Sequence, residues 1–200
     1  MTEPKGGRPL FGLVLAGGKS RRMGRDKALL DHGGQSQLAF VVHLLDDHVD
    51  QVFVSTRAEQ RDETERSQYT QIIDHYEEIG PVAGILSAMD EHPHADWLAV
   101  ACDLPNIDAP TIRYLLQHRT REHPFVAYSS SHDGLPEPLC ALYLEGSEAL
   151  LRAFVDDGLQ CPRKMLIRSA TLLLEQTNPN SLDNVNTVDD LRASVLEAAS

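Results

Sequence analysis

Three short apolar runs punctuate the chain: Phe11-Gly-Leu-Val-Leu15, Gln51-Val-Phe-Val-Ser55 and Trp97-Leu-Ala-Val-Ala101. Each has strand length and almost no charge, the mark of a strand covered on both faces. Between them the apolar positions change to helical spacing. Leu38, Val41, Val42 and Leu45 fall at i, i+3, i+4 and i+7. Ile112, Leu115 and Leu116 begin a second stripe, Leu150, Leu151, Phe154 and Val155 a third, and Val188, Leu191 and Val195 a fourth. Strands alternating with helices predict a parallel sheet with helices on both faces. In the second half, Phe125–Ser129 and residues 139–144 flank a polar Ser-Ser-Ser-His-Asp-Gly stretch, which predicts a hairpin-like insertion. With no internal repeat and no break in composition, the expectation is one three-layer α/β/α, Rossmann-like domain over residues 1–200. Its sheet is mostly parallel and its core runs from about residue 11 to 192.

Composition narrows the class without changing that picture. The 200 residues suit one domain of the usual ~150-residue scale, and 42% hydrophobic with 24% charged residues is globular. The net charge of −12 excludes duplex DNA and anionic membranes as partners, since both repel it. The longest apolar stretch, residues 11–18, is too short to span a membrane, and residues 1–10 carry no apolar signal core. Cys102, Cys140 and Cys161 are odd in number and far apart. They read as reduced, mostly buried residues of a cytoplasmic protein, not as a disulfide frame or zinc site.

Open sheets of this kind bind ligands outside the carboxyl ends of their strands, so the segments after the predicted strands carry the candidate chemistry. After the first strand come Gly17, Gly18 and Gly24, whose backbone can turn sharply and converge its N–H groups. Lys19, Arg21, Arg22, Arg25 and Lys27 lie in the same stretch, a local inversion of sign in an acidic chain. That pattern predicts a small polyanion such as a nucleoside triphosphate; a solvated basic turn has the same composition. It is not a P-loop, because Leu13 stands where the first glycine is needed, nor a Gly-x-Gly-x-x-Gly dinucleotide fingerprint. Asp103 follows the third strand and precedes Leu104-Pro105. A lone carboxylate there suits Mg²⁺ shared with phosphates, or equally the cap of a helix. Asp74 follows the apolar pair Ile72-Ile73, and Gly80-Pro81 would open a helix with no other role.

The stretch Leu15-Ala-Gly-Gly-Lys-Ser-Arg-Arg-Met-Gly-Arg-Asp-Lys27 resembles the signature of nucleotidyltransferases that activate small phosphorylated molecules. More narrowly, it is similar to the molybdenum cofactor guanylyltransferases, whose branch opens Leu-Ala-Gly-Gly where the cytidylyl-transferring branch has Leu-Ala-Ala-Gly. Cys102-Asp-Leu-Pro105, Asp74 with Gly80-Pro-Val-Ala-Gly-Ile85, Pro136-Glu-Pro-Leu-Cys-Ala-Leu-Tyr143 and Asn184-Val-Asn-Thr-Val-Asp-Asp-Leu191 resemble further family elements. Thr187 and Asp190 also have the spacing of a capping box, and Asn184 and Asn186 are weaker site candidates.

The resemblance implies a nucleotidyltransferase-type fold and Mg²⁺-dependent transfer of GMP from GTP to molybdenum-molybdopterin, giving the guanine dinucleotide cofactor and pyrophosphate. It implies GTP contacts at Leu15, Ala16, Gly17, Gly18, Lys27, Ser55, Asp74 and Asp103, with Arg21, Lys27 and Asp103 catalytic and Asp103 on the metal. Gly80 and Gly84 would be places of close backbone approach. Arg163 and Lys164 would meet the acceptor's phosphate or simply begin a helix. Implied partners are GTP, a molybdopterin-type cofactor, other proteins of molybdenum cofactor biosynthesis and recipient molybdoenzymes. The chain departs from many members at Ser55, where some have Asn, and at Ala101, where many have Pro. Alternatives are a cytidylyltransferase acting on molybdopterin or another small phosphate, a non-catalytic nucleotide-binding module, and a sugar-phosphate nucleotidylyltransferase, a class usually longer than this chain.

Overall fold

The computed structural model describes residues 7–18 and 26–184. Its strands are β1 (Leu10–Leu15), β2 (Gln51–Thr56), β3 (Gln71–Ile73), β4 (Asp96–Ala101), β5 (Phe125–Ser129), β6 (Pro136–Tyr143) and β7 (Thr171–Leu174). The helices are α1 (Gln37–Asp46), α2 (Pro81–Glu91), α3 (Ala109–Gln117), α4 (Ser147–Asp156) and α5 (Pro162–Ile167). One sheet holds all seven strands in the order β3-β2-β1-β4-β6-β5-β7. Pairing is parallel except along β6, which runs antiparallel to both β4 and β5.

The period-2 alternation of each strand sorts its side chains into two cores. Val14, Val54, Leu98, Val100 and Val126 face one layer, with Leu38, Val41 and Leu45 of α1 and Ile112 and Leu115 of α3. Leu13, Phe53, Trp97, Ala99 and Ala127 face the other, with Val82, Ile85 and Leu86 of α2, Leu151 of α4 and Met165 of α5. This is the predicted three-layer arrangement. The helix α1 lies so close to β1 that a Cβ on Gly12 would stand 3.3 Å from side-chain atoms of both Leu45 and Val49.

The expected insertion in the second half is instead part of the main sheet. β5 and β6 do pair antiparallel, but β6 lies between β4 and β5, so it is a central strand buried on both faces. β7 was not predicted: Leu172-Leu173-Leu174 is too short a run to separate from a helix end by periodicity alone. The fourth helical stripe, Val188, Leu191 and Val195, lies outside the described residues, as do Asn186, Thr187 and Asp190.

Candidate active site

Because β1 to β4 are mutually parallel, their carboxyl ends share one edge, and the three predicted segments meet there. The ladder continues a step beyond β1: Ala16 N donates to Ser55 O at 3.0 Å, and Cys102 N to Leu15 O at 3.3 Å. Leu15 and Ala16 put their side chains against the two cores, so only their backbone could face a ligand. The Ala16 carbonyl is already taken by Arg66 and the Gly17 carbonyl by Arg57. Among the described residues, the N–H groups of Gly17 and Gly18, with Gly18 exposed, are donors this turn can offer. Arg21 lies outside the described residues, together with Lys19, Arg22 and Arg25.

Lys27 opens a 3-10 turn, Lys27–Leu29, capped by the Asp26 carboxylate, which accepts from Ala28 N at 3.1 Å. The turn brings Lys27 Nζ to Asp103 Oδ2 at 3.0 Å, joining the ends of β1 and β4; both side chains keep partial exposure, 16% and 21%. Asp103 is not a helix cap. That part belongs to Asp108, which accepts from Thr111 N at 2.8 Å at the start of α3. The segment carrying Asp103 is pinned from α1, where buried Gln37 donates from Nε2 to Leu104 O at 3.2 Å.

Asp74, just past β3, is half-buried. Its Oδ1 accepts from the Ser55 hydroxyl at 2.7 Å, and its Oδ2 lies beside Gly17, where a Cβ would stand 3.1 Å away. Desolvation holds its carboxyl above the ordinary range, with the Ser55 hydrogen bond and the charge of Arg57 pulling the other way. Ser55 itself is 2% exposed, its proton spent on Asp74, so it supports that carboxylate from within the sheet. The close approach expected at Gly84 is to this pair: a Cβ there would fall 2.1 Å from Ser55 Oγ, so only glycine fits. Gly80 is glycine for a different reason, a φ of +61° at the start of α2.

Three site residues escaped the sequence reading. Asp26, Arg57 and Arg66 surround the glycine turn, yet the polar stretch holding the two arginines, residues 57–68, has no apolar period to signal that Arg66 is fully buried. Arg163 is not available to a phosphate as placed. It donates to Asp133 Oδ2 and Glu137 Oε2, each at 2.9 Å, while Lys164 is exposed on α5, which begins at Pro162. Cys102 and Cys140 are buried, their thiols pushed up to about 12 by burial, and Cys161 is exposed.

Among the described residues no three His, Cys, Asp or Glu side chains gather into a metal cage. Asp103 offers a single carboxylate whose Oδ2 takes Lys27 and whose Oδ1 accepts nothing from the described residues. That donor set fits a hard cation that keeps most of its water and shares phosphate oxygens, such as Mg²⁺.

An open, mostly parallel sheet that gathers its glycine turn, its cation and its carboxylates on one carboxyl edge defines an α/β domain built to bind at that edge. The chain belongs to the family of the MobA-like NTP transferase domain, which matches residues 12–172. It is 36% identical over 182 residues to the "Molybdenum cofactor biosynthesis bifunctional protein" of Synechocystis, covering 91% of this chain and spanning 52% of that protein's length. It is 28% identical over 187 residues to a "Probable molybdenum cofactor guanylyltransferase" of Bacillus anthracis, covering 90% of this chain and 92% of the other. Among solved structures, molybdopterin-guanine dinucleotide biosynthesis protein A of Archaeoglobus fulgidus shares the fold with a TM-score of 0.76. At 23% identity, that match covers 92% of this chain and 95% of that one. No helix among the described residues is long and apolar enough to cross a membrane.

Proposed function

We propose that this chain transfers GMP from GTP to the terminal phosphate of a molybdopterin-type cofactor, with Mg²⁺, forming the guanine dinucleotide and pyrophosphate. Family membership and the relatives' names support the class of reaction. The observation that carries the reading to these residues is the Lys27–Asp103 contact at 3.0 Å across the β1–β4 crevice, beside the N–H groups of Gly17 and Gly18. An oxygen of the acceptor phosphate attacks the α-phosphorus of GTP, the bond from that phosphorus to the bridging oxygen breaks, and pyrophosphate leaves with the electron pair. The nucleophile is already ionised at neutral pH, so the protein needs no general base; its work is positioning and charge.

Lys27 and Arg21 hold the departing pyrophosphate, and the glycine N–H groups take its oxygens. Asp103 is the residue that would hold Mg²⁺, which when bound offsets charge on the phosphate oxygens. Asp74, backed by Ser55, accepts hydrogen bonds from the nucleoside. The acidic surface and reduced thiols fit work in the cytoplasm, beside the proteins that make and receive the cofactor. Thermal-shift titration with Mg²⁺ and each of the four nucleoside triphosphates tests the reading. GTP should stabilise most; a larger shift with CTP would replace it with cytidylyl transfer, and no shift with any would overturn it.

A further inference from the structure

We infer that Arg66 is a positioning residue that holds the glycine turn and Lys27 in register for the triphosphate. Its side chain is 0% exposed. One nitrogen, Nη2, donates to Ala16 O at 2.9 Å and to both oxygens of Asp26, at 3.1 and 2.8 Å, while Nη1 reaches Glu63 Oε2 at 3.1 Å. Ala16 is the last residue before Gly17, and Asp26 caps the turn that aims Lys27 at Asp103. A single guanidinium nitrogen therefore ties together the two described flanks of residues 19–25. Arg66 is anchored in turn: its carbonyl accepts from Gln71 Nε2 at 3.0 Å, on β3, and its own N–H donates to Glu63 at 3.1 Å.

Stability alone does not account for this arrangement. Burying a guanidinium is costly, a hydrophobic side chain of similar volume serves a core as well, and here Nε is buried with no acceptor among the described residues. What the planar fork adds is fixed geometry, which a lysine's single point charge cannot reproduce across Ala16, Asp26 and Glu63.

This inference rests on the nucleotide-transfer reading, and two readouts separate their failures. In the protein without nucleotide, Arg66→Met should speed amide hydrogen exchange at Ala16 and residues 28–30, the hydrogen-bonded amides of the two flanks, by about tenfold or more, leaving β4 and β5 unchanged. In the transfer assay its KM for GTP should rise about 10- to 50-fold, with kcat within a few-fold and the acceptor's KM unmoved, since preorganisation of the nucleotide site is what is lost. Arg66→Lys should fall between parent and Arg66→Met. Should Arg66→Met not fold, Asp26→Asn carries the test, because Asn still caps the turn; its KM for GTP should rise about 3- to 10-fold. Arg119→Met, at the opposite end of the sheet, should lower Tm and leave KM alone. A fall in Tm for the Arg66 variants with unchanged KM and uniform exchange would make Arg66 merely structural. A parent that releases no pyrophosphate from GTP and acceptor would sink the transfer reading, and the exchange readout would still decide the clamp.

Discussion

At the amino-terminal end of β4, Asp96 lies between Arg8 and Arg119; at the carboxyl end, Asp103 meets Lys27. The first cluster is closed on itself. Asp96 receives Arg8 Nε at 3.1 Å and Arg119 through Nε and Nη2 at 2.9 and 2.6 Å. Arg8 Nη2 donates to the carbonyls of Pro93 and Ala95 while its Nη1 faces Glu145 at 3.6 Å, and Arg119 Nη2 also donates to Arg8 O. The second cluster is half-satisfied: among the described residues Asp103 accepts one hydrogen bond and Asp74 accepts the hydroxyl of Ser55, while burial raises the Asp74 pKa. Charge that completes its partners within the protein fixes structure. Charge left partly unmet at the ligand edge of an open sheet is available for binding and catalysis.

The sharpest way to break that contrast is to neutralise one carboxylate at each end. Asp103→Asn should keep Tm near the parent's and cut pyrophosphate release by several kcal/mol of transition-state stabilisation, about 100-fold or more. Nucleotide affinity should also lose its dependence on Mg²⁺. Asp96→Asn should do the reverse, costing about 1–3 kcal/mol of stability, the buried-pair penalty discounted for arginines that remain partly exposed, with KM for GTP unchanged. Matching effects from the two substitutions, in urea unfolding and steady-state assay, would erase the distinction between the ends.

Lys27→Ala tests whether the cation at the open end serves the nucleotide or only Asp103. A charge-assisted contact to phosphate predicts a loss of about 1.5–3 kcal/mol in GTP affinity, read by titration calorimetry. Unaltered affinity would reduce Lys27 to a partner of Asp103 and return the basic stretch to a solvated turn.

How much of this was legible beforehand follows from what each signal depends on. The strands β1, β2 and β4 are apolar runs whose character does not depend on neighbours, so the layer order and ligand edge could be read directly. The central position of β6 could not, because its segment pairs locally with β5 while its place beside β4 is set by long-range pairing. Asp103 and Lys27 stood out by motif and charge, but their contact required knowing that β1 and β4 are neighbours. Arg66 was invisible: in a polar stretch an arginine reads as solvated, and only the fold shows it fully enclosed.

Asp74 gives a smaller effect with a definite sign. Its folded pKa lies above the ordinary 3.8, chiefly through desolvation, so between those two values the folded protein holds more protons than the unfolded one. Stability therefore falls as pH rises through that window, and the whole cost is present at neutral pH. Asp74→Asn removes it and can still accept from Ser55. Tm at pH 7 should rise above the parent's, and the gap should close below pH 3.8, where both side chains are neutral. The same substitution should weaken GTP by about 1.5 kcal/mol, the scale of a hydrogen bond to a charged acceptor. A variant no more stable at pH 7 would show that Asp74 is not strained by its burial.

Gly17→Ala should have the smallest effect and bears most directly on which base is chosen. The space beside Gly17 borders a carboxylate: the new Cβ would stand 3.1 Å from Asp74 Oδ2 and 3.6 Å from Arg57 Cγ. Asp74 must shift by a few tenths of an ångström, costing under about 1 kcal/mol in stability, within the range of a mild overpacking. The chain's resemblance to the guanylyl branch lies partly in this glycine, where the cytidylyl branch has alanine. The displaced carboxylate should therefore lower GTP affinity about 3- to 10-fold with CTP affinity unmoved, a differential of the size a single misplaced hydrogen bond gives. The cause can be isolated in an Asp74→Asn background. There the acceptor is already neutral and its contact weakened, so adding Gly17→Ala should cost GTP less than it does alone, a coupling expected only of residues in contact. Strictly additive losses, or a GTP-to-CTP ratio that Gly17→Ala leaves alone, would remove Asp74 from base selection and leave the glycine as a feature of the turn.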